Sequence, residues 1–299
     1  MNKDLITIKD LTNAEINELF NLASRLKLNR KTHEMPLENK TLGLVFEKPS
    51  NRTRVSFEVG MSELGGSTIY LGTGEVELGK REAVKDASMV LSRYLDCIVV
   101  RTFLHARLCE MAQYSSVPVI NGLTDLLHPC QALSDLFTIK EKRGLKGITL
   151  TFIGDGNNVL NSLLYGCSKL GVKVNVACPK GYEPDKKVLK DAADIVTLFS
   201  SAEDAVKNTD IIYTDVWASM GHEKEHKKRL KIFKKFQVNS KILALAKKDT
   251  VVMHCLPAHR GEEITDKVLD SEQSIVIDQA ENRLHLQKAI LVKLLGEKG

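Results

Sequence analysis

Several short stretches of the chain combine side chains suited to binding and polarising a small anionic molecule. Ser50-Asn51-Arg52-Thr53-Arg54 gathers two hydroxyls and two guanidinium groups directly after Pro49, and it opens a segment with apolar residues at helical spacing. Backbone amides at a helix start, together with arginine forks, suit a doubly charged phosphate-like group. The same residues also read as a plain N-cap, Ser50, followed by two exposed arginines. Arg101 ends an apolar run, where a ligand-facing residue is expected in an open parallel sheet. His128-Pro129-Cys130-Gln131 leads into another helical stretch with Pro129 as its first residue. An imidazole there can polarise a carbonyl oxygen and a glutamine amide can accept from an NH2 group, although the pattern by itself favours a capping histidine.

Further along, Gly154-Asp155-Gly156-Asn157-Asn158 has the first two glycines of a dinucleotide fingerprint but Val159 in place of the third. Its asparagines offer amides at a helix start, which suits a polar small molecule better than a nicotinamide nucleotide. Asp215-Val216-Trp217-Ala218-Ser219-Met220-Gly221 holds the only tryptophan and ends on a glycine, as a loop closing over a ligand would. His254-Cys255-Leu256-Pro257 ends another apolar run, with Cys255 either a soft polar contact or a packed structural cysteine. His222-Glu223-Lys224-Glu225-His226 matches the HExxH string of zinc proteases, but its flanks are polar and basic, so a solvated loop or helix start is expected and no metal site is assigned.

The elements that must position these residues read as alternating strands and helices. Thr12 and Glu15 form a capping box ahead of Ile16, Leu19, Phe20, Ala23 and Leu26. Strands are predicted at 42–46, 67–71, 97–101, 117–121, 148–153, 172–178, 195–198, 210–214, 250–254 and 274–277, and a helix at 129–142. Near-continuous apolar strands alternating with amphipathic helices make the fold class α/β, with mainly parallel sheets carrying helices on both faces. At 299 residues, and with domains usually about 100–200 residues long, two domains are expected. The boundary falls in the 129–142 helix, which Gly144 and Gly147 terminate, giving domains at 1–136 and 137–280.

Composition removes whole classes of function. The hydrophobic fraction of 43% and charged fraction of 27% are those of a folded protein, and the apolar runs are too short for a membrane span. The N-terminus lacks the basic-then-apolar profile of a secretory signal, so the cytoplasm is expected. Six cysteines without a CxxC pair argue against a zinc ribbon or a disulfide framework. A net charge of +5 with 5% aromatics does not fit a nucleic-acid binder, and the basic stretch 226–235 reads as a solvated helix face.

Taken in order, SNRTR, Arg101, HPCQ, GDGNN, DVWASMG, HCLP and Glu281-Asn282-Arg283 resemble the transcarbamoylase family over nearly the whole chain, and DVWASMG with HCLP resembles its ornithine-specific branch. Two positions depart from the usual pattern: Asn51, where Thr or Met is common, and His222, where Gln is common. The resemblance implies a carbamoyl-phosphate domain at 1–136 with a C-terminal helix at 281–299 returning to it, an ornithine domain at 137–280, and a homotrimer or multiple of trimers. It implies that Ser50, Asn51, Arg52, Thr53 and Arg101 hold the phosphate, with Arg101, His128 and Arg283 near the carbonyl oxygen. Gln131 and the Leu256 carbonyl would take the carbamoyl NH2. Asn158, Asp215, Ser219 and Met220 would bind L-ornithine, with Cys255 beside its δ-amine and in reach of the carbamoyl group. The implied reaction yields L-citrulline and phosphate, as in arginine biosynthesis, without metal or organic cofactor.

Two rivals follow from the same residues. A sister transcarbamoylase could act on aspartate, N-acetylornithine or putrescine, although a second carboxylate would ask for cations where Asp215 stands. A non-catalytic nucleotide-binding module could be built on the GDGNN turn.

Overall fold

The computed structural model describes residues 3–30, 35–75, 78–79, 82–218 and 225–296. The chain divides into two units, Met1–Phe137 with Glu281–Gly299, and Thr138–Ala280.

The first unit opens with helix α1 (Asn13–Leu28), where Thr12 accepts from the Glu15 amide at 3.2 Å while Glu15 accepts from the Thr12 amide at 2.8 Å. This reciprocal bonding satisfies donors that a helix start leaves orphaned. Ile16, Leu19, Phe20 and Ala23 form its buried stripe. There follow β1 (Thr41–Phe46), α2 (Asn51–Glu63), β2 (Ser67–Leu71), α3 (Val84–Leu91), β3 (Cys97–Arg101), α4 (His105–Tyr114), β4 (Val119–Leu123) and α5 (Pro129–Arg143). The strands form one sheet in the order β2-β1-β3-β4, and every pairing is parallel. All of β3 is buried, as expected of a strand covered on both faces. β4 begins two residues later than the sequence suggests. Pro118 has no N–H to give the ladder, and pairing with β3 starts at Val119.

The second unit contains β5 (Thr149–Ile153), α6 (Asn158–Leu170), β6 (Lys173–Ala177), α7 (Lys186–Asp191), β7 (Val196–Phe199), α8 (Ala202–Ala205), β8 (Ile211–Thr214), α9 (His226–Phe233), α10 (Ser240–Leu245), β9 (Val251–His254) and α11 (Asp266–Leu269). Its sheet order is β7-β6-β5-β8-β9, again wholly parallel. The core beneath it gathers Ile153, Ile212, Trp217, Phe233, Val252 and Ile264.

The strand predicted at 274–277 does not form. Ser274 makes a single bridge to Val252, and Val276 already begins α12 (Val276–Leu295). A four-residue apolar run does not distinguish a strand from the buried start of a helix. From Glu281 onward α12 belongs to the first unit, where Lys27 donates to Asn282 at 2.9 Å, Ser56 to Gln287 at 2.8 Å and Lys288 to Glu63 at 2.8 Å. None of the described helices is long and apolar enough to cross a membrane.

In both sheets the strand order reverses beside the first strand of its unit: β2 and β3 flank β1, and β6 and β8 flank β5. With right-handed crossovers the connecting helices leave on opposite faces there, opening a crevice at the carboxyl ends of the strands. Four of the motifs singled out above lie at such ends: SNRTR after β1, Arg101 on β3, GDGNN after β5 and Asp215 after β8.

Candidate active site

In the first unit Ser50 has extended backbone (φ -157°, ψ 117°) and caps α2, its Oγ accepting from the Thr53 amide at 3.3 Å. Asn51 is the exposed first residue of the helix, Arg52 is half-buried and Thr53 is buried. The cap reading and the anion reading are therefore compatible. The cap fixes the first turn, and the turn carries Arg52, whose charge is felt by Arg101.

Arg101 closes β3 and is only 8% exposed. No acceptor among the described residues reaches its buried Nε. Burial, then the positive charges of Arg283 and Arg52, push its pKa down to about 10, which still leaves it charged at neutral pH. Arg283, on α12, is buried as well. It donates through its guanidinium to Gln131 Oε1, to Thr53 Oγ1 at 3.2 Å and to Gln287 Oε1 at 3.2 Å. Gln131 in turn donates to Asp135 at 2.8 Å, which fixes its amide with Oε1 toward Arg283. His128 precedes Pro129 at the head of α5 and is buried; desolvation first, then Arg283 and Arg101, hold its pKa well below the usual imidazole value. It is a neutral imidazole in a cationic neighbourhood, able to donate without adding charge. Of the eight residues named for this half, Thr53, Gln131 and Arg283 are joined by hydrogen bonds, and Arg101 feels the charges of Arg52 and Arg283 while His128 feels those of Arg283 and Arg101.

The second unit is organised around Asp215. Asn157, the N-cap of α6, accepts from the Val159 and Leu160 amides at 3.0 and 3.1 Å and donates through Nδ2 to Asp215 Oδ2 at 2.6 Å. Asp215 Oδ1 accepts from the Val216 amide at 2.8 Å and from the Cys255 thiol at 3.0 Å. Gly156 is required by close approach, since a Cβ there would lie 2.3 Å from the backbone of Glu183 and Pro184. Asn158 begins α6 and is half-buried. Leu256 sits in the left-handed region at φ 55°, an uncommon conformation for a leucine, and its amide donates to His254 Nδ1 at 2.8 Å. Because Nδ1 accepts, Nε2 carries the proton and donates to Glu263 at 3.0 Å, in a pair with no exposed surface. This buried pair holds the Cys255-Leu256 segment. Ser219 and Met220 lie outside the described residues, as do His222 and Glu223 of the HExxH string.

Two residues outside the set expected to bind ornithine hold this half together. Asn157 donates to Asp215, and the preference for asparagine at an N-cap was the available signal. Arg229 lies in the basic stretch expected to be solvated but is 8% exposed. It donates to Asp155 at 2.7 Å, to the Trp217 carbonyl at 2.7 Å and to Glu225 at 3.2 Å, and its guanidinium lies 4.9 Å from the centre of the Tyr182 ring. Trp217 itself is core, stacked on Phe233 at 5.7 Å. Arg229 therefore ties α9 to the Asp215–Ala218 segment.

Residues 3–141 match the family model described as aspartate/ornithine carbamoyltransferase, carbamoyl-P binding domain, and residues 146–294 match the one described as aspartate/ornithine carbamoyltransferase, Asp/Orn binding domain. This chain belongs to the aspartate/ornithine carbamoyltransferase family. It is 50% identical to the ornithine carbamoyltransferase of Syntrophus aciditrophicus, the match covering 99% of this chain and 100% of that one. It is 52% identical to the ornithine carbamoyltransferase of Pyrococcus horikoshii over 98% of this chain and 96% of the relative. Among solved structures, the Pyrococcus furiosus ornithine carbamoyltransferase superposes with a TM-score of 0.95 at 50% identity, covering 98% of this chain and 97% of that one. The Thermus thermophilus enzyme gives 0.92 at 44% identity, covering 99% of each.

Proposed function

We propose that the chain transfers the carbamoyl group of carbamoyl phosphate to the δ-amine of L-ornithine, giving L-citrulline and phosphate for arginine biosynthesis. The observation that carries the reading is the buried guanidinium group of Arg101, which has no acceptor for Nε among the described residues and stands in the field of Arg52 and Arg283. Such an arrangement is stabilised by a bound anion. The amine is taken from the relatives, which are named for ornithine over their full length and in one case as anabolic.

In this reading Ser50, Asn51, Arg52, Thr53 and Arg101 hold the phosphate oxygens at the start of α2, where the helix dipole adds its own partial positive charge. Arg101, Arg283 and neutral His128 donate to the carbamoyl carbonyl oxygen. Gln131 Oε1 retains a second lone pair beside the one used by Arg283 and accepts from the carbamoyl NH2, a role assigned also to the Leu256 carbonyl. Asn158, Asp215, Ser219 and Met220 take the amino-acid end of ornithine, Asp215 as the acceptor for its α-ammonium group, and Cys255 lies by the δ-amine. The δ-nitrogen lone pair forms the new C–N bond. The carbamoyl C–O bond to phosphorus breaks, phosphate leaves with the electron pair, and the nitrogen gives up its proton to solvent or to phosphate.

Catalysis on this account is positioning plus electrostatic stabilisation of the charge building on the carbonyl oxygen and the leaving phosphate, with no covalent enzyme intermediate. The amine must be neutral to attack. With an unperturbed pKa of about 10.4, as for lysine, its deprotonation forms a large part of the barrier at neutral pH. No metal or organic cofactor takes part in these steps.

We further propose a homotrimer or a multiple of it, supported by the exposed apolar side chains Val55, Ile69, Met89, Val90 and Tyr94 on the first unit. A reducing cytoplasm suits the six free cysteines. The test is a product assay supplying carbamoyl phosphate with ornithine, aspartate, N-acetylornithine or putrescine in turn. Citrulline from ornithine at a far higher kcat/KM than any other product is expected. Preferred turnover of another amine, or tight nucleotide binding with no carbamoyl transfer, would overturn the assignment.

A further inference from the structure

A second cluster of ligating side chains lies on the second unit among residues to which carbamoyl transfer gives no role. His226 opens α9, and His259 and Glu262 belong to a turn ahead of the buried Glu263. His226 Nε2 is 3.0 Å from Glu262 Oε2, and His259 Nδ1 is 3.5 Å from the same oxygen. The three candidate ligand atoms all lie within 4.8 Å of one another. We propose that His226, His259 and Glu262 form a site for a divalent transition cation of the zinc type.

The donor set is two imidazoles and a carboxylate, a combination that selects zinc-like ions over calcium or magnesium. Metal–nitrogen and metal–oxygen bonds of about 2.0–2.1 Å put tetrahedral ligand atoms about 3.3 Å apart, a spacing bracketed by the two histidine-to-carboxylate distances above. Side-chain exposures of 36% for His226, 44% for His259 and 28% for Glu262 leave room for water at the fourth position. The turn is held in place before any ion arrives. The Glu262 amide donates to the His259 carbonyl at 2.9 Å, Gln237 Nε2 donates to the Gly261 and Glu262 carbonyls at 2.8 and 2.9 Å, and the His259 amide donates to Glu263 at 2.6 Å. Arg260, between the two ligands in sequence, has its charge taken up by Asp266 and Asp270, each at 2.7 Å. The site uses the last histidine of the HExxH string with partners from another segment, and so differs from a zinc-protease helix. None of its three residues has a part in the proposed transfer, and a chelator is expected to leave carbamoyl transfer intact.

The experiment uses the full chain, stripped of metal, with Cys255→Ser as the background so that the Asp215–His254–Cys255 grouping offers no thiolate. Calorimetric titration with Zn2+ should give one equivalent bound. His226→Ala or His259→Ala in that background should weaken binding by about tenfold or more, with Glu262→Gln acting in the same direction. Titration with Co2+ should give a visible spectrum of tetrahedral nitrogen and oxygen ligation that is lost in the same variants. Melting of the metal-free variants, and the conservative Glu262→Gln, separate lost ligation from misfolding. Absence of zinc binding in the Cys255→Ser protein, or binding unaltered by both histidine substitutions in folded protein, would overturn the proposal.

Discussion

The two units solve opposite problems at the carboxyl ends of similar parallel sheets. In the first, Arg52, Arg101 and Arg283 crowd positive charge around a buried crevice, and Arg101 keeps a buried donor with no acceptor among the described residues. In the second, the central charge, Asp215, is already bonded to Asn157, Val216 and Cys255, and Arg229 is matched by Asp155, Glu225 and the Trp217 carbonyl. The first half gathers guanidinium groups that repel one another, whereas in the second Asp215 and Arg229 have partners within the fold. This difference is what the proposed reaction asks for, because a phosphate needs compensation that water-exposed arginines supply weakly, while an amino acid needs an oriented acceptor that does not collapse before it arrives.

The sharpest way to break this comparison is Arg101→Gln. Removing a preorganised donor to developing negative charge is expected to lower kcat/KM by about 10²–10³-fold. The melting temperature of the ligand-free protein should stay level or rise, since a buried cation repelled by two others is gone. Near-normal turnover, measured by steady-state citrulline formation, would remove Arg101 from the site. Asp215→Asn comes next. A charge-assisted hydrogen bond is worth about 1.5–3 kcal/mol, so a loss of about tenfold or more in kcat/KM for ornithine is expected. Arg229→Lys keeps charge but loses the fork that reaches Asp155 and the Trp217 carbonyl together. An ornithine KM raised about fivefold, roughly 1 kcal/mol, is expected at nearly constant kcat, with carbamoyl-phosphate KM unmoved. A matched fall in kcat instead would give Arg229 a part in the chemical step.

The smallest effect is on stability and tests the neutral histidine. Burial, with Arg283 and Arg101, lowers the pKa of His128, and burial also lowers those of His105 and His285. Folded imidazoles that resist protonation leave the unfolded chain binding more protons below about pH 6.5, so stability falls as pH drops through that range. His128→Gln should flatten the fall by up to about 1.4 kcal/mol per pH unit, read from denaturant midpoints across a pH series. A slope unchanged by the substitution would mean that His128 is protonated in the folded protein.

Much of this contrast is legible in the sequence. Strand-end positions follow from where β-branched runs stop, and the helix starts at Thr12 and Pro129 follow from capping and φ preferences. Its place at the end of an apolar run marked Arg101, but the sequence could not say that Arg101 is buried beside two other guanidinium groups, because Arg283 comes from a helix far along the chain. The misread run at 274–277 failed for a related reason: strand formation depends on partners, and Ser274 finds only Val252. Arg229 was hidden inside a lysine-rich stretch whose periodicity places most members in water, and its burial is decided by Asp155, Tyr182 and the Trp217 carbonyl from other segments.

Whether the anion is held by the arginines of the first unit independently of Asp215 is tested most directly by calorimetric titration of carbamoyl phosphate, without ornithine, into the wild type, Arg101→Gln and Asp215→Asn. Wild type and Asp215→Asn should bind it with the same affinity, and Arg101→Gln should bind it at least about tenfold more weakly, since a lost charge-assisted bond exceeds about 1.4 kcal/mol. Equal weakening in both variants would mean that Asp215 supports the first half-site as much as Arg101 does, and would contradict the division of labour between the two units.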